Sequence, residues 1–150
     1  MTWAVADNWA KTLVVDGYSG WRLPTSLNQD QTGPCLGYNC NSSEVGYMFY
    51  QNWGATAGGP YSSETNTADF ALFQNVQTDG YWSGTENSLS YAWFFYTAVG
   101  GQNFDFKGSA FPAVAVRSGD VAASVPEPGT VALLLLSLGA LGLVSRRRPV

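Results

Sequence analysis

Few residues in this chain have side chains suited to covalent, acid–base or metal chemistry. Cys35 and Cys40 enclose Leu36-Gly37-Tyr38-Asn39. Two cysteines are too few for a structural zinc site when no histidine is present to complete it. A redox dithiol uses a CxxC at a helix start, whereas this is a CxxxxC in a loop. In an exported domain the pair is expected to form a disulfide, and closing so small a loop contributes about 2 kcal/mol. Glu64, Asp69, Asp79 and Glu86 lie in turn-rich segments and are the candidates for a two-carboxylate carbohydrate hydrolase. Their spacing marks no pair. Glu86 and Asn87 lack the residues of an EF-hand, so no metal is assigned. Tyr47, Tyr50, Trp53 and Tyr61 crowd one segment, where the rings either stack on sugar faces or pack the core beneath it. Arg22 and Arg117 have two readings. They contact an anionic ligand, or each is paired with a carboxylate and pinned against aromatic neighbours, and the second use is the expected one.

Positioning these groups falls to a chain of 150 residues, long enough for one self-supporting domain. Only 12% of it is charged, about half the usual share. Six Trp, eight Tyr and eight Phe can fill a core and still leave rings at the surface. Residues 1–125 hold four basic residues against ten acidic ones, a net of −6. Such a body offers no counterion-releasing surface, which argues against nucleic acid as a partner. The absence of histidine removes the Ser-His-Asp triad, the HExxH zinc site and an imidazole base. No phosphate-binding loop precedes a helix, so no nucleotide cofactor is implied.

The last 30 residues or so are organised differently. A linker and Pro126-Glu127-Pro128-Gly129 occupy 122–129, an uncharged stretch runs over 130–145, and a basic end covers 146–150. Thr130 to Val144 contains seven leucines, and Arg146, Arg147 and Arg148 follow. The prolines suit an extended entry to a helix. Fifteen to seventeen helical residues reach roughly 23–26 Å, short for a bilayer core but workable with snorkelling flanks. The arginines would remain cytoplasmic and leave the body outside. The order is the reverse of a secretory signal, whose basic region comes first.

The arrangement Val125-Pro126-Glu127-Pro128, apolar span, Arg-Arg-Arg resembles the PEP-CTERM sorting signal of Gram-negative bacteria. The resemblance implies that exosortase, a membrane cysteine peptidase, reads Pro126, Glu127 and Pro128, while the apolar span and Arg146, Arg147 and Arg148 hold and orient the substrate. It places the chain in the inner membrane before processing and at the envelope, surface or extracellular matrix afterwards. The tail would be discarded, as in a GPI signal. The alternative is a C-terminal anchor that is never cut.

In the body, Trp3, Ala6, Ala10 and Leu13 share one helical face over residues 3–14, with Thr2 as N-cap and Asp16-Gly17 as the stop. Gly17 to Gly20 form a turn into Trp21. A second short helix is predicted from Ser43 to Trp53, with Val45, Met48, Phe49 and Trp53 on one side. Short strands are predicted over Phe70–Val76, Gly80–Ser83, Tyr91–Val99, Gln102–Lys107 and Ala113–Arg117. Ala92 to Tyr96 suit a strand buried on both faces, with Ala113 to Val116 as its neighbour. Gly100-Gly101 signals a hairpin. Trp21, Trp82 and Trp93 are expected in the core. Two helices followed by short antiparallel strands make an α+β domain over 1–121.

The segments GYSGWRLPT (17–25), GYWSGTE (80–86), AWFF (92–95) and AVAVRSGDV (113–121) are similar to the C-terminal domain of Legionella-type collagen-like adhesins, the Lcl C-terminal family. That resemblance implies a C-type-lectin-like fold, related to the sulfatase-modifying factors, and a binding or adhesive role. The cysteines on which catalytic members of the broader fold depend have no counterpart here. Relatives carry further sequence and a signal peptide before the first helix, so Met1 is expected to be internal to a longer domain. The expected function is a non-enzymatic, exported surface or matrix module whose ligand is polysaccharide or another matrix component. The alternatives are a carboxylate-dependent hydrolase and a purely structural matrix protein.

Overall fold

The computed structural model describes residues 1–60 and 66–119. The expected transmembrane span, the sorting signal (Pro126, Glu127, Pro128, Arg146, Arg147, Arg148), Tyr61 and Glu64 lie outside them. Among the described residues no helix is long and apolar enough to cross a membrane. The body is α+β, with short helices around an antiparallel sheet.

Helix α1 runs Trp3–Thr12, two residues shorter than the apolar spacing predicts. Thr2 sits at the N-cap with extended backbone, but its hydroxyl does not cap. The Trp3 N–H instead donates to Lys107 O at 3.0 Å, so the helix start is satisfied by tertiary contact. At the other end Leu13 turns extended. Asp16 and Gly17, expected to stop the helix, form a separate two-residue turn. Both have positive φ (50° and 80°), and Val15 and Tyr18 exchange backbone hydrogen bonds across them. That is the Asp-Gly chemistry of a primed hairpin turn.

After this hairpin come β1 (Trp21–Arg22) and the two-residue β2 (Gly37–Tyr38). Helix α2, Glu44–Tyr47, is capped by the Ser43 hydroxyl, which accepts the Gly46 N–H. It continues as a π-helical turn over Met48–Asn52. Gly46 is obligatory, because a Cβ there would lie 1.8 Å from Cys40 O. The close approach packs the start of α2 against the disulfide loop.

Residues Phe70–Val76 are not the predicted strand. Thr67–Phe70 form a short helix, α3, and Leu72 beyond it is 80% exposed. The helical turn brings Phe70 and Phe73, three apart, edge-on to Trp53 at 5.3 Å each. Strand alternation would send them to opposite faces.

Strands β3 (Gly80–Glu86), β4 (Tyr91–Tyr96) and β5 (Gly101–Phe106) form antiparallel hairpins, with the expected turn at Gly100-Gly101. Strand β2 adds to β5, giving the order β2-β5-β4-β3. Ala113–Val116 do not neighbour β4, whose edges are already taken by β3 and β5. Only Val116–Arg117 are paired, as β6, and their partner is β1. Just before β6, Pro112 O accepts the Trp82 N–H on the outer edge of β3.

The sheet is buried from both sides. On one face α1 lays Ala6 and Ala10, both fully buried, against Trp82, Ala92 and Leu23, with Phe94 and Phe111 packed alongside. On the other face Val45, Phe49, Trp53 and Ala55 pack onto Phe95. Residues 92–95 are thus lined on both faces, as the unbroken apolar run predicts, whereas Tyr96, expected to be buried with them, is exposed. Trp82 and Trp93 are buried, whereas Trp21 stays half-buried at the β1–β6 pair, its indole N–H on Tyr18 O.

Candidate functional site

Cys35 and Cys40 form the expected disulfide. It brackets β2, so the covalent loop fixes the edge strand that carries Tyr38. Gln102 clamps the same loop from the sheet, its buried amide donating to Cys35 O at 2.7 Å and Ser26 O at 3.1 Å.

The aromatic segment at 47–53 does not form one exposed platform. Tyr47 is 45% exposed on the outer side of α2, while Trp53 is 1% exposed, its ring among Phe49, Phe70 and Phe73. Trp53 is core, and a sugar-stacking role for it is corrected by its burial. The helical spacing of Val45, Phe49 and Trp53 is what turns that ring inward. Tyr50 is half-buried and acts as a bolt. Its hydroxyl donates to Gly100 O and accepts the Asn39 N–H at 3.0 Å. Burial pushes its phenol up from the ordinary value, against the lowering effect of the Asn39 hydrogen bond. Gly100 leaves no alternative for this contact, since with φ 70° a Cβ would meet the Phe49 ring at 2.6 Å. Tyr50 therefore sets the disulfide loop and the β4–β5 turn relative to each other.

The described carboxylates are committed to separate partners. Asp69 accepts from Asn66 Nδ2 at 2.6 Å, Asp79 accepts the Gly80 N–H at 2.7 Å, and Glu86 accepts from Lys107 Nζ at 2.6 Å. Among the described residues no group of three metal-ligating side chains gathers.

Arg22 takes the structural role expected of it. Its two terminal nitrogens reach the two oxygens of Glu44 at 2.6 and 2.7 Å, and Nη1 also donates to Leu23 O. The same carboxylate accepts the Thr25 N–H at 2.7 Å. Burial alone would raise the Glu44 pKa, but the hydrogen bonds from Arg22 and Thr25 and the guanidinium charge hold it below the usual carboxylate value. The Arg22 guanidinium is raised in turn, chiefly by its hydrogen bond to Glu44. Arg22 borders a cleft of about 380 Å³ whose other charges, Lys11 and Asp7, are also paired, at 2.7 Å. Arg117, contrary to the expected use, pairs with no carboxylate among the described residues. It donates to Ser19 O at 2.9 Å and covers the Tyr18 ring, with the guanidinium 4.9 Å from the centroid.

A second concavity, about 240 Å³, opens on the α1-side face beyond the last residues that α1 covers. Tyr38 on β2 and Tyr96 on β4 both pair with Gly101 on β5. The three stand in line across three strands and point to one face. Tyr38 is 55% exposed and Tyr96 40%. Asn103 and Phe94, also paired, continue the same face. The Asn103 carbonyl accepts the Phe104 N–H at 2.8 Å, which leaves its NH2 as the donor offered to a ligand. Among the described residues no charged side chain lines this groove. Sequence reasoning did not find it, because Tyr38, Asn103 and Tyr96 meet only through strand register. The sequence signal available was a tyrosine inside a cysteine loop.

Comparison with known proteins informs the tail. The PEP-CTERM protein-sorting motif family matches residues 124–148, which include Pro126, Glu127, Pro128 and the three arginines. No curated protein matches the chain. The matched segment spans roughly a sixth of the length and describes the tail alone. Through it the chain carries the signal of an exosortase substrate, exported through the membrane and sorted to the cell envelope or surface.

Proposed function

We propose that the body is a non-enzymatic binding module which, once exosortase has processed the tail, holds polysaccharide at the cell surface or in the extracellular matrix. The observation that carries this reading is the pairing of a surface-sorting signal with a body whose open groove is lined by Tyr38, Tyr96, Phe94, Val99 and Asn103 and, among the described residues, by no charge. Tyrosine offers a broad apolar face and a polar edge, the two contacts a sugar ring makes. A C-type-lectin-like fold of the Lcl type belongs to the same proposal. It is supported by the β1–β6 pairing, which joins Trp21-Arg22 to Val116-Arg117, the segments most specific to that resemblance. The test sets a glycan-binding screen beside a hydrolysis assay on the same polysaccharides. Binding without time-dependent product release is expected. Product release abolished by Glu86→Gln or Asp69→Asn would establish a hydrolase instead.

A further inference from the structure

The geometry points to the Tyr38–Gly101–Tyr96 groove as the ligand site, and to an uncharged polysaccharide, bound along the groove by its ring faces, as the ligand class. The assignment rests on the polysaccharide-binding reading above and deepens it.

Three observations favour this place over the larger cleft beside Arg22. First, the register is suited to a flat ligand. Tyr38 and Tyr96 flank Gly101 on adjacent strands, which sets their backbones about 10 Å apart, with no Cβ between them and the Val99 side chain at the margin of the gap. The Tyr38 ring leans over that gap, with Cε1 3.7 Å from where a Cβ on Gly101 would stand. A side chain there would be in ordinary contact and unstrained, so larger residues would fit the backbone but occupy the groove. Second, the walls are held in place without a ligand. The disulfide fixes the Tyr38 edge, and the Tyr50 hydroxyl ties Asn39 to Gly100 beside it. Rings positioned in advance lose little freedom on binding. Third, the charges select. Among the described residues the groove has no charged lining, while residues 1–125 carry a net −6, so a polyanion meets repulsion without a compensating cation. In the larger cleft the arginine and the lysine are already engaged by Glu44 and Asp7.

The test uses the full-length chain in detergent micelles, titrated calorimetrically with hexasaccharides of neutral glucan, mannan and galactan, and with an alginate hexasaccharide as the anionic counterpart. At least one neutral oligosaccharide should bind, and alginate at least tenfold more weakly. Tyr38→Ala and Tyr96→Ala should each weaken binding about fivefold, the scale of one lost ring contact. Gly101→Val, which fills the groove, should abolish it. Tyr38→Phe and Tyr96→Phe retain the ring and should stay within threefold, and Tyr47→Ala within twofold. Near-UV circular dichroism of each variant matching the parent shows that the loss is local. Neutral-sugar binding that survives all three groove variants within twofold would overturn this site and leave the polysaccharide reading standing. Tighter binding of alginate would overturn the uncharged ligand class. Binding of no oligosaccharide at all would overturn the site and the polysaccharide reading together.

Discussion

On one face of the sheet a π-helical turn lowers Phe49 and Trp53 onto Phe95, and short α3 adds Phe70 against Trp53. On the other face α1 covers Trp82, Ala92 and part of Phe94 with two alanines, leaving Tyr96 and Tyr38 to solvent. Both faces are built from rings in the same hairpins. The difference is in what lies above them: large side chains close one face around Phe95, leaving Tyr91, Phe104 and Phe106 exposed at its far end, and a helix approaching on alanines closes only part of the other. The buried rings here are Trp and Phe, and the open end shows tyrosine hydroxyls and an asparagine amide, groups that do not need to be taken out of water.

Removing the closed face should be the most damaging change. Trp53→Ala deletes a buried ring between Phe49, Phe70 and Phe73 and should cost about 3–5 kcal/mol, read as a fall in the urea midpoint at constant m-value. Tyr47→Ala, six residues earlier but on the outer side of the helix, should stay within about 0.5 kcal/mol. Equal losses would break the contrast between the buried and the outer side of this helix. A smaller effect is expected from the disulfide. Replacing Cys35 and Cys40 by serine should lower stability by about 2 kcal/mol. It should also weaken oligosaccharide binding, because β2 then loses the closure that holds Tyr38. Unchanged affinity would mean that the wall stands without it.

The smallest of these effects is the pH response of Glu44. Its folded pKa is lowered, so its contribution to stability is complete above the ordinary carboxylate value of about 4.3 and is lost as pH falls through the folded value. Glu44→Gln should cost about 1 kcal/mol at neutral pH, since both partners are partly exposed. It should also flatten the acid limb of the stability curve. The slope that remains would include Asp30, whose carboxyl is lowered by the Thr32 hydroxyl and N–H. An acid limb as steep as the parent's would remove the Arg22–Glu44 pair from the account.

Much of the body was legible where the signal is local. The Gly100-Gly101 turn, the doubly covered run at 92–95, the Ser43 helix start and the Cys35–Cys40 bridge each depend on a few adjacent residues. Arg22 was legible as a structural residue because a scarce cation amid core and turn residues needs a partner. The failures are non-local. Phe70 and Phe73 read as strand, yet Trp53 provides a surface that rewards helical spacing. Thr2 read as a cap, yet Lys107 O satisfies the helix start from 105 residues away. Ala113–Val116 were placed beside β4, whose edges the hairpins had already filled. The groove escaped for the same reason: Tyr38, Tyr96, Gly101 and Asn103 come from three strands, and only register lines them up.

The central claim is that the tail is a signal that is read and removed, and that the body reaches the surface without it. The direct measurement is the intact mass of the protein outside the cell, in an exosortase-bearing host that exports it behind a working signal peptide. Parallel samples should carry alanine at Pro126, Glu127 and Pro128. The account predicts a released parent lacking the apolar span and arginines, and an alanine variant that stays full-length in the inner membrane because its span is untouched. Release of the alanine variant with the same mass as the parent would contradict it, leaving the tail as an anchor only.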